Sequence, residues 1–380
     1  MKTQLPFGAL LMLALVVAAA ASFAATPLVK TLAIKVGAVD VPKDSRRMHK
    51  VPIPRMGGLA IAIAFIFSVM LFVQVDYQTQ GILLGAVIIL VVGVLDDIIA
   101  LKALPKFLMQ ILAAIVVVKH GCAIRYMTNP FFSSAEKYID LGVFSLPLTV
   151  IWIVAITNAV NFIDGLDGLA VGVSAISSAT QLVIALLVAE DNVALIMAAL
   201  LGACLGFIPY NFNPAKIFMG DTGSTFLGFI LATVSIKGMF KLYAIISFAV
   251  PFLILGIPIF DICFAVIRRL AKGQNPMHAD RGHIHHRLID MGFSQKQAVA
   301  ITYLLTAMLG LAAVVLTSSG EVRALILIGT IFVVGAVGLR LIFAGKAPHL
   351  GRGRGVEPAA SPQAQKKDTQ SEESGDEQTN

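Results

Sequence analysis

An all-α, polytopic membrane bundle is the fold this sequence predicts. Three observations predict it: an excess of apolar residues, their grouping into runs of membrane-spanning length, and basic residues gathered between alternate runs. Of 380 residues, 57% are hydrophobic and only 13% charged, beyond the apolar share of an ordinary soluble domain. A helix needs about 20 apolar residues to cross ~30 Å of hydrocarbon. Runs of that length predict about eleven helices, at roughly 5–29, 57–75, 81–99, 104–120, 144–161, 166–189, 193–210, 222–237, 242–266, 297–317 and 323–344.

The first run ends at Ser22-Phe23-Ala24, a small-x-small pattern that a cleaved signal peptide would share. Only Lys2 precedes it, whereas Lys30, Lys35, Lys43, Arg46, Arg47, Lys50 and Arg55 follow, which favours an uncleaved helix with its N-terminus outside. Residues 121–143 mix Tyr126, Phe131, Phe132, Tyr138 and Ile139 with Asn129-Pro130 and Gly142, suiting a short hairpin outside the membrane. The loop before the tenth run carries Arg268, Arg269, Lys272, Arg281, Arg287 and Lys296. If the runs alternate, both basic loops lie on one side, the cytoplasm. The opposite connections are short or nearly balanced, although Lys237 and Lys241 depart from the pattern. The C-terminus is then cytoplasmic, behind Arg340, Lys346, Arg352 and Arg354. Residues 345–380 turn to Gly, Pro, Ser, Gln and mixed charge, too little apolar surface to order a fold. The predicted organisation is a membrane domain, 1–344, and a disordered cytoplasmic tail, 345–380.

The formal charge of +7 follows from this topology and suits anionic lipid, not nucleic acid. Cys122, Cys204 and Cys263 are scattered, with no CxxC spacing, so neither a disulfide framework nor a zinc knuckle is indicated.

Polar residues beyond what orientation requires collect at the predicted cytoplasmic face. The run Asn158-Ala159-Val160-Asn161-Phe162-Ile163-Asp164-Gly165-Leu166-Asp167-Gly168-Leu169 sets two amides and two carboxylates at a bilayer boundary. Ionisable groups there are expensive unless they line a polar cavity or face a cation; a structural kink is the plainer reading. Asp96-Asp97 closes the third run, and adjacent carboxylates repel unless a cation sits near, so they read either as a base and metal-facing pair or as a solvated helix end. Asp221, in Met219-Gly220-Asp221-Thr222-Gly223, stands where a helix begins. It is either a metal ligand, since magnesium takes few protein oxygens, or a helix cap. In residues 40–58, His49 and Arg55 sit among prolines ahead of Gly57-Gly58, able to present cations and N–H groups to phosphate or serving orientation alone. Asp280-Arg281-Gly282-His283-Ile284-His285-His286 invites a zinc reading, but the flanking arginines favour donors to phosphate and sugar oxygens. Together these clusters imply a metal-assisted reaction on a diphosphate, with a second substrate arriving from the bilayer.

In this order, from about Asp40 to Gly292, the motifs closely resemble the polyprenyl-phosphate N-acetylhexosamine-1-phosphate transferase superfamily, glycosyltransferase family 4. The late stretch looks like the branch that transfers GlcNAc-1-phosphate from UDP-GlcNAc to undecaprenyl phosphate. The resemblance implies a helical bundle with a cytoplasmic cleft, often dimeric, in the bacterial inner membrane, priming a lipid-linked envelope glycopolymer such as lipopolysaccharide or teichoic acid. It implies that Asn161 and Asp221 bind magnesium, with manganese as an alternative ion. Asp96 or Asp97 would assist attack by the lipid phosphate, Asp164 would support the centre, and Asn158 would back Asn161. Asp167, Asn211 and Phe218 would hold uridine, and Arg281, His283, His285 and His286 the diphosphate or sugar. Within this chemistry the alternatives are another UDP-N-acetylhexosamine or the phospho-MurNAc-pentapeptide donor. An ion-coupled transporter is a distant rival, because its acids belong near the bilayer midplane.

Overall fold

The computed structural model describes residues 5–42, 51–128, 138–239, 246–271, 284–319 and 329. In chain order, α1 (Phe7–Lys35) leads through β1 (Val39–Asp40) and β2 (Ile53–Pro54) to α2 (Gly58–Phe72), α3 (Tyr77–Ile99) and α4 (Ala103–Lys119). Strands β3 (Tyr126–Thr128) and β4 (Tyr138–Asp140) precede α5 (Ser145–Ile163), α6 (Leu169–Leu187), α7 (Asp191–Asn211) and α8 (Gly220–Met239). Helices α9 (Ile246–Ile254), α10 (Gly256–Ala271), α11 (Ile284–Asp290) and α12 (Gln295–Ser319) follow. Six of them, α1, α3, α5, α6, α7 and α12, are long and apolar enough to cross a membrane, as a multi-pass protein requires. Both ribbons are antiparallel, and β3–β4 forms the expected hairpin, with Tyr126 opposite Asp140.

Most helix boundaries shift by a few residues from the sequence expectation, and two differences are larger. Helix α1 runs on to Lys35 instead of ending near 29, so Lys30 and Lys35 are helical. Pro27 removes only its own N–H, and Lys35 in the last turn suits the negative end of the helix. The single helix expected over 242–266 breaks at Leu255 between α9 and α10. Pro258 has no N–H for the carbonyl of Ile254, and the Ser177 hydroxyl of α6 donates to that carbonyl instead, at 3.1 Å. The run predicted at 323–344 and the tail 345–380 lie outside the described residues.

Helix α8 is the centre of the packing: residues 222–236 are all buried, and it lies against α2, α3, α5 and α6. Small residues let these backbones approach. A side chain on Gly58 of α2 would run into the backbone of Gly223, and one on Gly93 of α3 into Thr222. Several hydroxyls inside the bundle bond back along their own helices, Thr233 to Phe229 at 2.8 Å and Thr157 to Ile153 at 2.7 Å, and so are satisfied without water. Helix α1 packs on α7, and α12 on α6 and α9.

Candidate active site

The ends of α3, α4, α5 and α8 bring four polar side chains together. Asp96, near the C-terminus of α3, accepts from Leu101 N at 2.7 Å and pairs with the Lys106 ammonium at 2.8 Å. The same ammonium pairs with Asp221 in the first turn of α8 at 2.9 Å, so one cation bridges two carboxylates. Asn161 of α5 donates to the other Asp221 oxygen at 3.1 Å and to Ser224 Oγ at 2.8 Å. The amide orientation follows from its neighbours, and turned over it would offer oxygen at the same place.

The adjacent aspartates, alike in sequence, differ in use. Asp97 is 2% exposed and accepts from Asp221 N at 3.0 Å, Thr222 N at 3.1 Å and Thr222 Oγ1. It caps α8 from a different helix, taking N–H groups that have no partner within α8. Gly220, at φ 73°, leaves room for that carboxylate where a side chain would stand. Asp221 is therefore not the cap of its own helix: its carboxylate meets Lys106 and Asn161, and the capping role falls to Asp97. The expected base and metal-facing pair divides, with only Asp96 meeting the bridging ammonium.

Arg55 joins this cluster from the other side. The segment through β2 and Arg55 lies between Ala38, whose carbonyl accepts from Arg55 N at 2.9 Å, and Phe218, whose N–H donates to Pro54 O at 2.8 Å. Arg55 Nε then donates to the Asp97 carbonyl at the C-terminal end of α3, at 3.1 Å. Gln110 of α4 and Asn158 of α5 pair through their amides, the shorter bond 2.6 Å, one turn behind Asn161.

The loop between α5 and α6 lies beside the cluster. Asp164 is half-buried, and its carboxyl is pushed up to about 8, first by burial and then by the negative charges of Asp221, Asp97 and Asp167. Asp167 accepts from Asn213 Nδ2 at 2.9 Å and Ala215 N at 3.1 Å, bracing the loop after α7. Asn211 braces it too: it is 2% exposed, accepts from Gly168 N at 3.1 Å and donates to Ile217 O at 3.0 Å. Phe218 is half-buried on the segment paired with Arg55. His285, on α11, lays its ring where a side chain on Gly165 would stand, and the His286 ring lies 4.3 Å from it, centre to centre.

Of the residues singled out in the sequence, Asp96 and Asp221 thus meet at Lys106, Asn161 joins them through Asp221, and Asp97, Arg55 and Asp164 lie next to them. Asp167 and Phe218 occupy the adjoining loops, Asn211 ends α7, and His285 and His286 lie on α11. His49, Arg281 and His283 fall outside the described residues. Lys106 received no role from sequence. Its signal was spacing alone, since ten positions after Asp96 a lysine in the first turn of the next helix can reach back.

Among the described residues no group of three or more His, Cys, Asp or Glu is placed to hold a metal. A small hard dication needs fewer, one or two carboxylates with water and phosphate completing its sphere. Asp221 and Asn161 offer oxygen donors at a place where Lys106 already marks a cation position, so the residues fit magnesium.

The model of glycosyl transferase family 4 matches residues 79–239, from α3 through α8. A Bacillus subtilis protein named "probable undecaprenyl-phosphate N-acetylglucosaminyl 1-phosphate transferase" is 44% identical over 295 residues, 77% of this chain and 81% of that protein. The decaprenyl-phosphate N-acetylglucosaminephosphotransferase of Mycolicibacterium smegmatis is 37% identical over 318 residues, covering 76% of this chain and 77% of its own. The undecaprenyl-phosphate alpha-N-acetylglucosaminyl 1-phosphate transferase of Escherichia coli is 32% identical over 287 residues, 74% and 77% of the two chains. With its carboxylates, amide and bridging lysine inside the matched segment, this chain belongs to glycosyl transferase family 4.

Proposed function

We propose that the protein transfers GlcNAc-1-phosphate from UDP-GlcNAc to undecaprenyl phosphate, giving undecaprenyl diphosphate-GlcNAc and UMP. The observation that carries this reading is the meeting of Asp96, Asp221 and Asn161 at one cation position, in a chain whose relatives bear that transferase name. A lipid phosphate oxygen attacks the β-phosphorus of the donor, the bond to the α-phosphate oxygen breaks, and UMP leaves with that oxygen. Such a transfer asks a protein mainly for positioning and charge stabilisation.

Asp221 and Asn161 would hold magnesium, which when bound neutralises the diphosphate. Asp96 is the member of the acidic pair assigned to the lipid phosphate, since Asp97 is committed to the end of α8. Lys106 supplies positive charge between the two carboxylates. The loops carrying Asp167, Asn211 and Phe218 form the uridine side, with Asn211 shaping them from within and the Phe218 ring offered for stacking. His285 and His286, together with Arg281 and His283, are assigned to the diphosphate and sugar.

Asp96, Asp97, Lys106, Asn161, Asn211 and Asp221 all lie at one set of helix ends, the C-termini of α3, α5 and α7 and the N-termini of α4 and α8. If the crossings alternate, those ends share one side, and the basic loops support reading that side as the cytoplasm of a bacterial inner membrane. Purified protein, undecaprenyl phosphate and labelled UDP-GlcNAc with magnesium should yield lipid-linked label. No such label under these conditions would overturn the reading.

A further inference from the structure

Two side chains of α12 reach the loop between α5 and α6. Tyr303 and Gln295 are eight residues apart, about two helical turns, and so share a face. Tyr303 donates its phenol to the Gly168 carbonyl at 2.5 Å, and its ring fills the space where a side chain on Gly172 would stand. Gln295 accepts from Asn213 Nδ2 at 2.8 Å, and that same nitrogen donates to Asp167 at 2.9 Å. The start of α12 is itself fixed: Ser294 N donates to Gln297 Oε1 at 2.9 Å, and Gln297 N returns the bond to Ser294 Oγ at 3.4 Å. One short turn before this reciprocal cap, α11 lays His285 against Gly165.

We infer that Tyr303, assisted by Gln295, is a positioning residue for the sugar-nucleotide donor: it latches α12 to residues 167–172, and the latch sets His285 and His286 relative to Asp164 and Asp167. The inference rests on the transferase reading. Neither residue is assigned to substrate; each acts through the loop it holds. Asp167 meets the latch through Asn213 at one end, and the Gly168 peptide is held from both sides, by Asn211 at its N–H and by Tyr303 at its carbonyl. Release of the carbonyl leaves Asp167 and His285 free to shift apart, and the ligand that touches both should bind more weakly. The lipid phosphate, assigned to Asp96 at another helix end, should be indifferent.

Tyr303→Phe keeps the ring in the Gly172 slot and removes one hydrogen bond. In the full-length protein it should raise the KM for UDP-GlcNAc about three- to tenfold, the scale of one neutral hydrogen bond, with the KM for undecaprenyl phosphate unchanged. Equilibrium binding of UDP-GlcNAc should weaken by the same factor. A merely structural role would lower kcat through lost active protein and leave both KM values and the affinity alone, and that outcome overturns the inference. Gln295→Ala, at a half-buried position, should shift donor KM in the same direction by a smaller factor and serves if Tyr303→Phe does not fold. Wild-type protein that neither binds nor transfers the donor would sink the transferase reading and the inference with it. Wild-type protein that does both, beside variants with unchanged donor KM and affinity, would sink the inference alone.

Discussion

Helices α3 and α8 carry an ion pair at each end, and the two pairs differ in charge balance. At the N-terminus of α3, Asp76 meets Lys237 of α8 at 2.6 Å, one acid to one base, with the Asp76 side chain 46% exposed. Burial would raise the Asp76 carboxyl, but the hydrogen bonds from Lys237 and Thr79 outweigh it and hold the group below its ordinary value. At the other end one ammonium serves Asp96 and Asp221, with Asp97 and Asp164 close by. The first pair is saturated and ties two helix ends together. The second has acid in excess, an imbalance that suits a further cation.

The largest expected effect is at the crowded end. Asp97→Ala strips the acceptor from two backbone N–H groups and a hydroxyl at the start of α8. Buried donors left without partners cost about 1–3 kcal/mol each, so thermal unfolding in detergent should show a loss of about 3 kcal/mol or more, together with lost transfer. If stability is unchanged, Asp97 is no cap.

Lys106→Met should cost less, about 1–2 kcal/mol without added metal, because Lys106 itself and Asp221 are partly exposed, although Asp96 is buried. The informative readout is the rise in unfolding temperature on adding magnesium, which should exceed that of wild type once the competing ammonium is gone. An equal rise in both proteins would mean that Lys106 does not occupy the cation position.

Asp76→Asn, at the balanced end, should be the mildest, under about 1 kcal/mol, with transfer unaffected. Its pH dependence has a definite sign. A carboxyl lowered in the folded state adds stability above its unfolded value of 3.8, and this is lost as pH falls toward the folded value. The unfolding temperatures of wild type and variant should therefore differ at neutral pH and converge below about pH 4. A constant difference across that range would contradict the pairing with Lys237.

Much of this contrast was legible in the sequence, and the unread part has physical causes. Apolar runs located the helices because hydrocarbon thickness dictates their length, and Asp96, Asn161 and Asp221 stood out as polar groups at run ends. The break at Leu255 was concealed because an apolar run looks the same whether or not a proline leaves a carbonyl without a donor, and Ser177, which satisfies it, lies 77 residues away. The roles of Asp96 and Asp97 could not be separated, since neighbouring carboxylates differ only in what the fold brings to each. Tyr303 looked like one more aromatic in a spanning run, and only the docking of α12 on α6 reveals what its hydroxyl meets.

The central claim is that Asp221 holds a cation for the transfer and does not cap its helix. Asp221→Asn removes the charge while keeping size and most hydrogen bonding, so it separates these roles. The variant should fold with a stability near wild type, lose nearly all transfer of GlcNAc-1-phosphate to undecaprenyl phosphate, and recover little of it across a magnesium titration. Near-normal turnover across that titration would contradict the assignment.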